Sequence, residues 1–294
     1  MIVVVGGANL DVKAHSTASA VARTSNPGSV LRSAGGVGRN VAENLARLGS
    51  EVTLVAAVGA DPAGDEVLAA TEGAGVDVSR VARGARPTGT YVAVLDADGE
   101  LVVAVADMKA TEALGPADVD AVAELLGGAD LVVLDGNLRT ETLGRALQVC
   151  ADAGTSVVLD PVSVPKAAAL DGLVSPRTPL LAITPNRDEL VVLGGTESGL
   201  HDRGVRLVWT RLGAAGSRLS GPDGVTDIKP VAATEVLDVT GAGDAMLAAF
   251  CHALLAGAAP VEAAAYGQSA AALTVASPHT VRPDLTHELV RSLL

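Results

Sequence analysis

Asp238-Val239-Thr240-Gly241-Ala242-Gly243-Asp244 runs directly into AMLAAFCHALLAG, joining a glycine turn to a strongly apolar helical stretch that ends at Gly257. Glycines at a helix start let the first unpaired backbone N–H groups converge on an anion without Cβ obstruction, and the helix dipole adds favourable potential there. The turn is therefore expected to form an anion hole. Asp244 falls on the first helical turn, six residues after Asp238. It either complements the helix N-terminus or stands beside a bound phosphoryl group, where its carboxylate takes a proton from an attacking hydroxyl.

Upstream of this turn, short apolar runs alternate with amphipathic, alanine-rich stretches. Ile2–Val5, Val52–Val58, Leu131–Leu134, Val157–Leu159, Leu180–Thr184 and Leu207–Thr210 are continuously apolar, as expected of strands covered by helices on both faces. Helical patterns lie between them at Val37–Leu48, Ala63–Ala70, Pro116–Leu126, Thr140–Ala151 and Arg187–Leu193, which makes an α/β layered sandwich. Three helices close the chain, at Ala242–Leu255, Val261–Ala276 and Leu285–Leu293. Two polar, β-rich stretches, Asp11–Ser33 and Thr88–Ala106, break the alternation, and the second holds a hairpin turn at Asp96-Ala97-Asp98-Gly99. They are expected to project as a small β lid from one domain spanning residues 1–294, with lid strands from about 11–33 and 88–106.

Charge and composition narrow the function. The chain has 294 residues, with 21 Lys+Arg against 34 Asp+Glu, a net charge of −13 that disfavours sequence-independent nucleic-acid binding. An anionic substrate then needs a local positive site. Cys150 and Cys251 are far apart in apolar helical patterns and read as small buried hydrophobes rather than a disulfide or zinc pair. The N-terminal MIVVVGGANLD lacks the pattern of a signal peptide, and no uncharged apolar run approaches the ~20 residues of a membrane span, so a cytoplasmic location is expected.

Four further motifs fall at predicted strand ends. Thr184-Pro185-Asn186-Arg187-Asp188-Glu189 reads either as a capping box or as Asn186 and Glu189 organising a water-rich Mg²⁺ beside ATP phosphates. Ser33-Ala34-Gly35-Gly36-Val37-Gly38-Arg39-Asn40 is a glycine-rich helix opening without the lysine of a P-loop. With Asn9 and Asp11 after the first strand, it offers donors and acceptors suited to the vicinal hydroxyls of a sugar. Trp209-Thr210-Arg211-Leu212-Gly213-Ala214-Ala215-Gly216 reads as a plain glycine loop or as a nucleotide-binding turn.

Taken in order, these motifs resemble the ribokinase (PfkB-type) carbohydrate and nucleoside kinase family over essentially the whole chain. The resemblance implies a three-layer α/β/α sandwich with a mostly parallel central sheet and a β lid, and ATP- and Mg²⁺-dependent phosphoryl transfer to a primary hydroxyl. It implies Asp244 as base, with Gly241, Ala242 and Gly243 forming the anion hole. It also implies Asn186 and Glu189 at Mg²⁺, Thr210, Gly213 and Gly216 at ATP, and Asn9, Asp11, Gly35, Gly36 and Asn40 at the sugar. Asp238 and Thr240 match the region where many members bind a monovalent cation, usually K⁺.

Within that family, Ser25-Asn26-Pro27-Gly28, Ala106-Asp107-Met108 and the stretch from Asp160 to Lys166 are similar to the pseudouridine kinases. Four aromatics occur in the whole chain, and only Tyr91 lies in a lid element, so a base has little to stack on. Uracil on a C-glycosidic bond is instead readable by polar groups such as Asn26, Lys13 or Asp107, with Met108 alongside. The expected activity is phosphorylation of the 5′-hydroxyl of a ribonucleoside, foremost pseudouridine. Ribose or another sugar is the alternative within the family, and a nucleoside- or sugar-binding regulatory protein without catalysis is the alternative outside it. Lys166 is either a phosphate contact or an exposed lysine at a helix start, and a homodimer through the lid is an expectation from the family. The segment between Glu189 and Thr210 is short for the family, with room near Gly199–Gly204 for barely one helical turn.

Overall fold

A computed structural model of the chain describes residues 1–294. Along the chain run β1 (Ile2–Val5), β2 (Asn9–Ser16), β3 (Gly28–Gly35), α1 (Val37–Arg47), β4 (Val52–Gly59), α2 (Pro62–Gly73), β5 (Asp77–Gly84), β6 (Gly89–Leu95) and β7 (Leu101–Asp107). Then come α3 (Pro116–Ala121), α4 (Ala123–Gly127), β8 (Leu131–Asp135), α5 (Thr140–Ala153), β9 (Val157–Asp160), α6 (Val164–Ala168), β10 (Leu180–Ile183), α7 (Arg187–Val192) and α8 (Glu197–Asp202). The last elements are β11 (Val205–Arg211), β12 (Ser217–Gly221), β13 (Gly224–Ile228), α9 (Ala242–Leu255), α10 (Pro260–Val275) and α11 (His287–Arg291).

Nine strands form the main sheet in the order β13-β12-β11-β10-β9-β8-β1-β4-β5. All neighbours are parallel except the β11–β12–β13 meander, which is antiparallel. Successive side chains of a strand point to opposite faces, which explains the continuous apolar runs. Ile2 and Val4 of β1 join one apolar layer with Leu54, Trp209 and Phe250, while Val3 and Val5 join the other with Leu134, Leu147 and Leu159. Each fully buried side chain of this kind is worth roughly 1.5–3 kcal/mol. The result is a three-layer α/β/α sandwich. Helix α9 is apolar all round because it packs against both α1 and α10, and Phe250 meets Trp209 at 4.6 Å between ring centroids. No helix is long and apolar enough to cross a membrane.

A second sheet, β3-β2-β6-β7, is built from the two polar β-rich stretches. Its hydrogen-bonded register runs Asn9↔Gly35 and Asn9↔Gly89 at the base and Ser16↔Gly28 at the far end of the first hairpin. This sheet is the lid that the sequence leads one to expect, with strands that reach two residues further at the base, to Asn9 and Gly35.

Four local features depart from expectation. The edge strand β5 has no apolar run, because only one of its margins is paired and Asp77, Ser79, Arg80 and Arg83 are exposed. The single helix expected over Pro116–Leu126 breaks at Val122, whose backbone (φ −116°, ψ 15°) leaves the helical region. A short helix, α6, follows β9. Between Glu189 and Thr210, α8 starts earlier than expected because Thr196 caps it, its side chain accepting from Gly199 N–H at 3.2 Å.

Candidate active site

Because β5, β4, β1, β8, β9, β10 and β11 of the main sheet run parallel, their carboxyl ends share one edge, where ligands bind in sheets of this kind. That edge gathers Asp135 from β8, Asp160 from β9, Asn186 after β10 and Arg211 from β11. The N-termini of α1 and α9 face the same edge and deliver Asn40 and Asp244, which meet: Asn40 Nδ2 donates to Asp244 Oδ2 at 2.9 Å. The amide orientation follows from its other contact, since Arg39 Nη1 donates to Asn40 Oδ1 at 3.1 Å and leaves only the NH₂ for the carboxylate. Arg39 is itself held by a buried ion pair with Glu43 one turn on.

The glycine turn is dictated by sterics. Gly241, at the N-cap of α9, has φ +80°, and a Cβ there would sit 1.9 Å from the Thr280 carbonyl oxygen. A Cβ on Gly243 would come 2.8 Å from Arg211 Nη1, so the guanidinium lies directly against the turn. Arg211 donates to both oxygens of Asp160, at 3.0 Å each, and lies 3.7 Å from Glu189 Oε2. Burial opposes its charge, but Asp160, Glu189 and Asp244 outweigh burial and hold its pKa above the ordinary value. Arg211 is thus a buried cation set against the glycine turn, with its charge met by Asp160 and Glu189.

Asp244 is partly buried, and its pKa is pushed up to about 7. Burial is the main cause; Asp160 and Asp135 add to it, and Asn40 and Arg211 oppose it. A carboxylate that titrates near neutrality is matched to proton transfer. Asp135 is raised to about 6 by burial, though it accepts from Gly7 N–H, Gly38 N–H and Asn137 N–H at 2.7–2.8 Å. Those bonds tie the end of β1 to the start of α1.

At the base of the lid, Asn9 is buried and donates to Asp11 Oδ1 at 2.7 Å. Burial raises Asp11, against the opposing effects of Asn9, Lys13 and Arg39. Gly35 lies beneath the Asp11 carboxylate and Gly36 caps α1. Tyr91 is paired across the sheet with Asp11, and Met108 Sδ lies beside Gly89, the partner of Asn9. Of these lid-base groups only Asp107 faces away, in an exposed ion pair with Lys109 at 3.0 Å. Asn26 is not brought to the group. It sits beyond the Ser16↔Gly28 end of the hairpin, five residues and about 17 Å along β2 from Asp11. Its side chain is spent on its own loop, accepting from Val21 N–H and donating to the Val21 and Thr24 carbonyls.

After β11, where the motif led one to expect the nucleotide, Gly213–Ala215 form an exposed turn, closed by Leu212 N–H to the Gly216 carbonyl at 2.9 Å. Thr210 is buried, and its hydroxyl has no protein partner. Lys166, on α6, makes no ion pair. Asn186 and Glu189 form the reciprocal capping box, with three bonds of 2.8–2.9 Å. Burial raises the Glu189 pKa against its bond from Asn186 and the nearby Arg211. No three His, Cys, Asp or Glu side chains converge to hold a metal directly. Both Glu189 oxygens already accept from Asn186, so the pair would meet a Mg²⁺ only through water.

Two parts of the site escape sequence reading. Asp135 and Asp160 each end an apolar strand run, LVVLD and VVLD, a signal that marks the sheet's carboxyl edge. Arg211 lies inside a quoted motif, but its pairing with Asp160, 51 residues away, depends on strand order. The region expected to take a monovalent cation holds an internal ion pair. Asp238 Oδ2 accepts from Lys13 Nζ at 2.6 Å and Oδ1 accepts from Thr240 N–H at 2.8 Å, so both oxygens are engaged by the protein. Lys13, expected to read a base, is committed to this pair.

Comparison with known proteins agrees with this geometry. A sequence profile of the pfkB family of carbohydrate kinases matches residues 1–287. The chain is 31% identical to the pseudouridine kinase of Escherichia coli (strain K12) over 306 residues, covering 100% of this chain and 96% of that one. A carbohydrate kinase from Agrobacterium tumefaciens superposes with a TM-score of 0.89 at 32% identity, covering 99% of this chain and 96% of the other. The structure of Arabidopsis thaliana ribokinase complexed with ribose and ATP superposes with a TM-score of 0.86 at 26% identity, covering 99% and 97%. With a match that runs almost end to end, the chain belongs to the pfkB family of carbohydrate kinases, phosphotransferases that act on an alcohol group.

Proposed function

We propose that this kinase phosphorylates the 5′-hydroxyl of a ribonucleoside, and that pseudouridine is its preferred acceptor. The observation that carries the reading is the Asn40–Asp244 contact of 2.9 Å, which puts a hydroxyl-binding amide against the base at the head of the glycine turn. Asn9, Asp11 and Asn40 orient the ribose, accepting from its hydroxyls and donating back. Asp244 takes the proton of the 5′-oxygen as that oxygen bonds to the γ-phosphorus and the bond to the β-phosphate oxygen breaks. N–H groups of Gly241 and Gly243, that of Ala242 once it leaves its 3.3 Å bond to the Val239 carbonyl, and the guanidinium of Arg211 stabilise the charge on the phosphoryl oxygens. Asn186 and Glu189 would hold Mg²⁺ through water, and Mg²⁺ when bound neutralises charge on the phosphates. Gly213 and Gly216 shape the turn that would take the nucleotide, with Thr210 just before it, and Lys166, without an ion pair, is a candidate phosphate contact.

Pseudouridine is favoured by two things. The E. coli relative that matches the full chain is a pseudouridine kinase. Trp209, Phe250 and Tyr266 are all core residues, which leaves Tyr91 as the one aromatic near the lid base. A base read with so little stacking is read by hydrogen bonds, as uracil allows. Ribose or a related sugar is the second reading, favoured by the likeness to the ribokinase structure. The lid's exposed apolar edge strands favour a homodimer through the lid. Initial rates of ADP release with ATP and Mg²⁺ should rank pseudouridine above uridine, adenosine, ribose and fructose; a clear preference for ribose or fructose would replace the nucleoside reading by the sugar one.

A further inference from the structure

Lys13 stands on β2, four residues beyond Asn9 and two beyond Asp11, in the strand that carries the acceptor-facing side chains. Its ammonium reaches across 225 positions of sequence to Asp238, in the segment that leads into the glycine turn. Both side chains are about three-quarters buried, at 26% and 23% exposure, so solvent screens the pair less than it would a surface pair. Burial alone would raise the Asp238 carboxyl, but the bonds from Lys13 and Thr240 outweigh it and hold the pKa below the ordinary carboxylate range. The backbone N–H of Thr240 closes the other oxygen at 2.8 Å, and Leu237 N–H anchors the segment to the Val275 carbonyl at 2.8 Å. Asp238 is therefore a charged acceptor whose two oxygens both serve to shape the approach to Gly241.

A dissolved alkali ion at this carboxylate would have to displace an ammonium of the same charge. The ammonium is a compact point charge with three donors, and its tether to β2 gives it a high effective concentration at Asp238. The residues present thus do not fit the monovalent cation that the family resemblance implies. We propose that the Lys13 ammonium is the fixed cation of the Asp238 segment, so that phosphoryl transfer by this chain needs no K⁺. Lys13 is then a positioning residue: it acts through Asp238 on the glycine turn and ties the lid base to it. The proposal rests on reading the chain as a kinase that uses this turn.

The test compares wild type, Lys13→Met and Lys13→Arg in KCl and in tetramethylammonium chloride at equal ionic strength. Two readouts are taken, phosphoryl transfer to the best acceptor of the panel and the thermal midpoint without substrate. Wild type is expected to respond less than about twofold to K⁺ in turnover and not at all in midpoint. Lys13→Met should lose about tenfold or more in tetramethylammonium and recover most of it in KCl, with a K⁺-dependent rise in midpoint, because a ligand that binds only the folded state stabilises it. Lys13→Arg should keep K⁺ independence. Strong K⁺ activation of wild type, or Lys13→Met that matches wild type without K⁺, would overturn the proposal. The midpoint arm needs no acceptor, so it still decides if the acceptor reading fails. If Lys13→Met does not fold, the response of wild type decides alone.

Discussion

Every residue of β1, β4, β8 and β9 is buried, whereas the lid's edge strands β3 and β7 leave Val30, Leu31, Leu101, Val102, Val103 and Val105 at 50–67% exposure. The groups assigned to chemistry, Asp244 and Arg211, with Asp160 holding Arg211, hang from the buried framework, where close packing limits their movement. The groups assigned to the acceptor, Asn9, Asp11 and Tyr91, sit at the lid base, where the two sheets meet. Beyond that base the lid is held by strand pairing and by two ion pairs, Lys13–Asp238 and Arg32–Glu66, with an apolar surface still to cover. Catalytic geometry should therefore be sensitive to small changes at the sheet edge and tolerant of changes on the outer lid.

The largest effect is expected at Asp244. Asp244→Asn keeps the shape and the Asn40 contact but removes the base, and should lower kcat by ~10²–10⁴ in a coupled ATP assay; near wild-type turnover would break the comparison. The next concerns pH. Since kcat/KM reports the free enzyme, it should rise about tenfold per pH unit up to a pH of about 7 and then level off. Stability runs the other way. The folded state keeps a proton on Asp244 up to about 7 that the unfolded chain loses near 3.8, so the favourable contribution present below 3.8 is lost as pH rises to 7. Melting of wild type against Asp244→Asn should show the variant gaining stability relative to wild type across that window; a constant difference would refute the assignment of the shift.

A glycine pair at the two ends of α9 separates strain from function. Gly241 and Gly257 both have positive φ, at +80° and +88°, but only at Gly241 would a Cβ meet another atom. Gly257→Ala should cost about 1–2 kcal/mol of stability with turnover unchanged, while Gly241→Ala should also lose more than about tenfold in kcat. Equal losses of turnover would show that the turn's shape carries no special weight. The smallest effect is expected on the lid: Val30→Thr with Val105→Thr should change turnover less than about twofold while shifting the sedimentation coefficient from dimer toward monomer. A severe loss of activity would mean that the outer lid belongs to the site.

The buried framework was largely legible because its strands are covered on both faces and appear as unbroken apolar runs. The lid was legible from the interruption of that pattern and from the Asp96–Gly99 turn. β5 was not, because an exposed edge strand with Asp77, Arg80 and Arg83 carries no apolar signature. Within the site, Asp244, Asn40 and the glycines lie in local motifs whose chemistry is readable in sequence. The Arg211–Asp160 and Lys13–Asp238 pairs join residues 51 and 225 positions apart, and only strand order and the lid's attachment bring them together. The bonds of Asn26 to Val21 and Thr24 were not legible either, because they depend on how its loop closes the far end of the hairpin.

The most direct measurement is the identity of the product formed from ATP and pseudouridine, read by ³¹P NMR coupling and mass. The account predicts stoichiometric ADP and a single monophosphate on the 5′-oxygen, formed faster than any ribose phosphate under the same conditions and abolished in Asp244→Asn. No phosphorylation of pseudouridine, phosphate on another oxygen, or faster transfer to ribose would contradict it.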